Sequence, residues 1–205
     1  MTEVQEGRER TPRFSTRDAV YIAVLAAMWA VSEGVLGGQL HALNIPFSGV
    51  VLAAIAVFLM ITCRSLVPKI GSILIMGIVV ALLRILSIGG VILSPTIAII
   101  MEALLIELAM TLSRRVTALS SSIGGMLALL WTFVHPFVVQ PLLFGTSMLI
   151  IYQKTIASGA QILGISSANV ILILGALLVI HGIVGIVAGI VGWRFSTKVL
   201  ETLRR

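Results

Sequence analysis

Apolar positions dominate the chain in blocks of membrane length, separated by short polar interruptions. Six such blocks can be drawn, at 18–39, 46–63, 70–88, 95–112, 123–151 and 169–193. Each has about 20 residues, the length needed to cross a ~30 Å hydrocarbon layer at ~1.5 Å per residue. In lipid a backbone must satisfy its own hydrogen bonds, so these blocks predict helices. Pro46 and Pro95 fall at the first turns of the second and fourth blocks, where a missing N–H costs nothing. The expected fold is therefore an all-α polytopic membrane protein with six transmembrane helices. One membrane domain, 18–193, lies between an N-terminal tail, 1–17, and a C-terminal tail, 194–205.

Composition strengthens this pattern. Hydrophobic residues make up 59% of the chain and charged residues only 11%, far from the quarter usual in soluble proteins. The net charge of +6 does not point to nucleic acid, because the basic residues sit in short loops and tails rather than on one face of a soluble domain. They orient the chain instead. With six spans, Arg8, Arg10, Arg13, Arg17, Arg64, Lys69, Arg114, Arg115, Arg194, Lys198, Arg204 and Arg205 fall on one side, Lys154 falls on the other, and Arg84 lies within a span. The positive-inside rule then puts both termini in the cytoplasm, with the chain as a multi-pass protein of the plasma membrane. A single cysteine, Cys63, excludes an intramolecular disulfide and a cysteine-rich zinc site, and no GxxxxGK[ST] phosphate loop occurs.

Several polar residues interrupt the apolar blocks, and an intramembrane charge ordinarily marks a cavity, a partner charge or a pathway. The fourth block carries two, Glu102 and Glu107. Five residues apart on a helix they are rotated by about 140° and separated by ~7.5 Å, so they cannot enter one small cavity and are not a catalytic carboxylate pair. Glu102 lies nearer the outside. It joins Glu33, Gln39, Arg84, His135, Gln140 and His181 as the expected border of an outward-facing cavity, with Arg84 as its expected counter-ion. The acids exceed the one arginine, which favours a cationic or nitrogen-rich ligand. The histidines read as neutral hydrogen-bonding groups, proton carriers or metal ligands, or simply as helix-packing residues, and no metal site or cofactor is assigned. Glu107 is expected to pair with another helix or to face a partner subunit.

Two helices carry stripes of small residues, Ala19, Ala23, Ala26, Ala30, Gly34 and Gly37 in the first and Gly175, Gly182, Gly185, Gly189 and Gly192 in the last. Such stripes let helices approach closely, either within the chain or against another one. In the fifth block Pro136 and Pro141 free carbonyls one turn back, at Thr132 and Phe137, which predicts a kink or break. Trp131 and His135, four apart, share a face of that helix.

Six helices with both ends inside, the alanine series Ala19, Ala23, Ala27 in the first, and no ATPase motif resemble the substrate-binding S component of an energy-coupling-factor (ECF) vitamin transporter. The resemblance covers nearly the whole chain from Thr16. It implies no enzyme activity. It implies instead high-affinity binding of a small water-soluble vitamin near the outer face, docking of Ala19, Ala23 and Ala27 on a transmembrane T component, and energy from two ATPase subunits. Lid segments would be 41–46, 89–94 and the loop 152–168. Thiamine-binding members use a glutamate, a histidine and aromatics, to which Glu102, His135 and Trp131 are similar in type, so thiamine or its pyrimidine precursor is the leading ligand. The metal-binding members' amino-terminal Met-His site is missing from the Met1-Thr2 start. Two other readings compete: a stand-alone proton-coupled secondary carrier of a small polar solute, and an assembly protein without ligand. An intramembrane metalloprotease is disfavoured by the lack of HExxH and EExxxR patterns.

Overall fold

The computed structural model describes residues 14–43, 48–86 and 93–203, and among them there are helices and no strands. The first helix starts where Ser15 and Asp18 form a reciprocal capping box, with Ser15 Oγ accepting from the Asp18 N–H and Asp18 accepting from the Ser15 N–H at 2.7 Å. It runs as α1 (Thr16–Val31), passes through a single π-helical stretch (Ser32–Leu36) and continues as the short α2 (Gly37–Ala42). Then follow α3 (Ser48–Leu66), α4 (Ser72–Leu86), α5 (Leu93–Leu112), α6 (Ala118–Phe144), α7 (Met148–Leu163) and α8 (Val170–Leu203).

Among the described residues five helices are long and apolar enough to cross a membrane: Thr16–Leu40, α3, α5, α6 and α8. The third expected span, 70–88, differs, because α4 has 15 described residues, which is ~22 Å of helix against a ~30 Å layer. Most of the two expected lid segments 41–46 and 89–94 falls outside the described residues, as do 1–13 of the N-terminal tail. The tail expected from 194 onward begins as helix, since α8 runs unbroken to Leu203.

The largest correction concerns the fifth block. The helix does not run to residue 151. It ends at Phe144, where Gly145 takes a left-handed φ of 60° and returns its N–H to the Pro141 carbonyl. Ser147 then caps a separate helix, so the expected loop 152–168 is mostly the helix α7. That helix lies on α8, with Ile156 and Ala160 against Ile173 and Leu177. Nor does α6 break at its prolines: helical backbone continues through both Pro136 and Pro141.

At the centre of the bundle stands α3, with 61% of its most apolar stretch buried against 17–39% in the other four spans. Val57, Met60 and Ile61 from α3 pack with Trp29, Met76, Ile106, Met110 and Leu129 into one core. Outward-facing apolar residues, such as Val20, Val24 and Met28 on α1 or Val179, Ile183 and Val187 on α8, remain exposed, as lipid-facing positions do.

The glycine stripe of α8 packs inside the chain along part of its length. A Cβ on Gly185 would collide with the backbone of Gly125 in α6, and one on Gly189 with Ser121, so these two helices cross backbone on backbone. Gly192 meets α3 at Phe58, whereas Gly175 has open space around it. The α1 stripe divides: Ala26 and Gly37 are buried and Ala30 is half-buried, while Ala19, Ala23 and Gly34 face outward, as does Ala27 of the alanine series.

Candidate functional site

The chain turns back on itself so that the polar residues separate to two ends of the bundle. At one end the N-terminus of α1 meets the α3–α4 turn, where Lys69 Nζ pairs with Asp18 Oδ2 at 2.5 Å. Glu107, near the end of α5, reaches the same turn. Its carboxylate accepts the N–H groups of Gly71 and Ile73, each at 2.9 Å, and the Thr111 hydroxyl at 3.2 Å, and pairs with Arg64 Nη1 at 3.2 Å. Gly71 presents its N–H from a φ of 90°, a conformation open to glycine. The carboxylate thus caps the N-terminus of α4, where unsatisfied N–H groups and the helix dipole favour an anion. Arg64 also donates to the Lys69 carbonyl, so the turn is closed from both sides. Of the two expectations for Glu107, pairing with other helices is the one the geometry bears out.

At the opposite end of α5 the arrangement is open. A cavity of about 670 Å³ lies between the π-helical stretch, α3, α4, α5 and α6. Glu33, Arg84, Glu102, Thr132 and His135 contribute to its wall together with Gly34, Gly38 and Gly49. A Cβ on any of those three glycines would meet nothing within 4 Å, so small residues leave space there. The volume lies in the ~300–1,000 Å³ range of small-molecule sites.

Glu102 is 5% exposed. Thr132 Oγ1 donates to its Oε1 at 2.9 Å, and among the described residues this is the one hydrogen bond Glu102 accepts. A carboxylate offers about four acceptor positions, so most of its capacity faces the cavity unused. The expected ion pair does not form: Arg84 lines the same cavity, but Arg84 and Glu102 are not within salt-bridge distance. Arg84 sits in the last turn of α4.

Glu33 enters from the π-helical stretch. One extra residue in a helical turn displaces the local backbone, and such bulges recur at functional sites. His135 is held by its Nε2, which donates to the Ser94 carbonyl at 2.9 Å and leaves Nδ1 as acceptor in the neutral ring. The bond ties α6 to the start of α5.

The remaining expected residues lie elsewhere. Trp131 packs edge-on against His135 at 5.8 Å between ring centroids but does not line the cavity, and among the described residues its buried indole N–H has no hydrogen-bond partner. Gln140 is half-buried and Gln39 exposed, and neither belongs to the cavity wall. His181 donates from Nδ1 to the Leu177 carbonyl at 2.7 Å, packs against Phe133 at 5.2 Å and faces a second cleft of about 290 Å³ with Lys154, Thr155 and Ser158. Thr132 and Pro136 touch both spaces, so the α6 backbone is the partition between them. Sequence reasoning missed Thr132 as a site side chain; its signal was a hydroxyl three residues before His135, on the same helical face.

Among the described residues no three His, Cys, Asp or Glu side chains gather in a metal-binding group. The chemistry available in the cavity is charge and hydrogen bonding: two carboxylates, one guanidinium, an imidazole and a hydroxyl. Compared with known proteins, the chain matches no family model, no curated protein and no solved structure.

Proposed function

We propose that the protein is the membrane-embedded binding subunit of an uptake system for a small water-soluble, cationic or nitrogen-rich molecule. Thiamine or its aminopyrimidine precursor is the leading ligand. In this reading α4 also crosses the membrane, as the third of six spans, both termini are cytoplasmic and the protein resides in the plasma membrane. A separate T component docks on Ala19, Ala23 and Ala27, and two ATPase subunits drive release. The protein itself performs no catalysis.

The observation that carries the proposal is the Glu102 carboxylate, 5% exposed on the wall of a 670 Å³ cavity and holding one hydrogen bond. A buried carboxylate so poorly satisfied is expensive unless a donor arrives, and an amidinium-like or amino-substituted ring brings both charge and N–H groups. Two further features support the direction of transport. The cavity lies away from the basic turn around Arg64 and Lys69, so the positive-inside rule has it open outward. The Ala19, Ala23, Ala27 face is exposed rather than used inside the chain.

The test is purification from the native membrane followed by thermal melting with a panel of vitamins and precursors. Co-purification of a T-like subunit with ATPases, and a melting shift with thiamine or the precursor, are expected. A ligand at 100 times its dissociation constant adds about 2.7 kcal/mol. Purification without coupling subunits, together with no shift across the panel, would overturn the proposal. A second reading draws on the presence of Glu33, Glu102 and His135 in one cavity, a set able to relay protons in a stand-alone carrier. Uptake by this chain alone in proteoliposomes, driven by a pH gradient, would select that reading.

A further inference from the structure

The basic end of the bundle holds a second built space. A cavity of about 400 Å³ opens between the ends of α3, α5 and α8, lined by Arg64, Arg114, Arg115, Trp193, Thr197 and Leu200. Among the described residues no acidic side chain lines it. Arg64 already answers Glu107 at 3.2 Å. Arg114 and Arg115 are exposed, and among the described residues their guanidinium groups make no hydrogen bond or ion pair.

The backbone here adds to the charge. Arg114 takes a left-handed φ of 56° directly after α5. The Arg115 carbonyl is pinned by the hydroxyls of Ser113 at 3.0 Å and Ser120 at 3.1 Å, so the turn has a fixed form. Among the described residues the N–H groups of Arg115 and Val116, both residues of the cavity wall, have no acceptor within the chain. Successive free N–H groups beside a left-handed residue form a concavity suited to an anion. Arginine matches phosphate oxygens in a planar, two-pronged way.

The surroundings say where the phosphate comes from. Leu112 and Leu119, at 83% and 71% exposure, flank the turn and offer apolar surface beside the charge. Trp193 lies half-buried at the same level of α8, the position of an interfacial aromatic ring. Charge, free N–H groups and adjacent apolar surface together match a phosphate at the head of an acyl chain.

We propose that this cavity binds a phosphate group, supplied by an anionic phospholipid of the leaflet at the basic end. The proposal rests on the helices spanning a membrane, but not on the cavity around Glu102 or on any transported ligand.

The experiment uses the full chain, delipidated in detergent, and reads both melting temperature and lipid retention by native mass spectrometry. Phosphatidylglycerol, phosphatidylcholine and soluble glycerol phosphate are compared on the parent, on R114Q combined with R115Q, and on K154Q, a cation of α7 outside this cavity. Phosphatidylglycerol is expected to raise the melting temperature of the parent and of K154Q and to remain bound, while phosphatidylcholine does neither. The double variant should retain it about 30-fold more weakly, since each basic residue near a bilayer contributes about fivefold to attraction of anionic lipid. Its melting temperature without lipid should equal that of the parent, because neither guanidinium holds the fold. Equal retention by parent and double variant, or equal stabilisation by phosphatidylcholine, would overturn the site. Stabilisation by glycerol phosphate but not by phosphatidylglycerol would overturn the lipid as its source.

Discussion

Glu102 and Glu107 stand on one helix, both buried, yet their surroundings are opposites. Glu107 receives two backbone N–H groups, a threonine hydroxyl and a guanidinium. Glu102 receives one threonine hydroxyl. A buried charge is tolerated when its hydrogen-bonding positions are filled from within, and the Glu107 end meets that condition without help. The Glu102 end leaves the condition unmet and leaves a cavity beside it. The contrast teaches that burial alone does not distinguish the two carboxylates; the unfilled share of their acceptors does.

The contrast can be broken most forcefully at Glu107. Glu107→Ala strands Arg64 and removes the cap of α4, and a broken buried pair of this kind costs about 3–5 kcal/mol. Thermal melting in detergent should show a large loss; a variant as stable as the parent would contradict the role given to Glu107. Next in size is the effect of Glu102→Gln on ligand. Loss of a charged hydrogen bond amounts to about 1.5–3 kcal/mol, or roughly 10- to 150-fold weaker binding of thiamine or its precursor by titration calorimetry. The stability of that variant should stay close to the parent's.

Thr132→Val tests the one internal partner of Glu102. Removing a single hydrogen bond of this type is worth about 1 kcal/mol, read as a severalfold change in ligand affinity. The smallest expected effect is that of His181→Ala. Because His181 lies across α6 from the cavity, ligand affinity should be unchanged even if the melting temperature falls through lost packing on Phe133.

The apolar blocks made most of the fold legible, since five of the expected segments became helices long enough to span. What they could not convey was where a helix changes its winding or stops. The π-helical stretch at Ser32–Leu36 opens with Ser, Glu and Gly after an apolar run, but such an interruption does not by itself say whether the helix widens, kinks or stops. The break at Gly145 was masked because the apolar run resumes at once with Met148 and Leu149. At the site, Glu33, Arg84, Glu102 and His135 were brought together as expected. Two features of the polar residues could not be read from the chain, for physical reasons. His181 was grouped by depth, which fixes height along a helix but not the side it faces. Two of the four partners of Glu107 are backbone N–H groups, which every residue but proline carries and no sequence pattern advertises.

The most direct measurement is a side-by-side thermal shift of the parent, Glu102→Gln and Glu107→Gln with thiamine and with its aminopyrimidine precursor. The account predicts that Glu107→Gln melts lower than the parent but keeps the full ligand-induced rise, whereas Glu102→Gln melts near the parent and loses that rise. A rise retained in Glu102→Gln and lost in Glu107→Gln would contradict it.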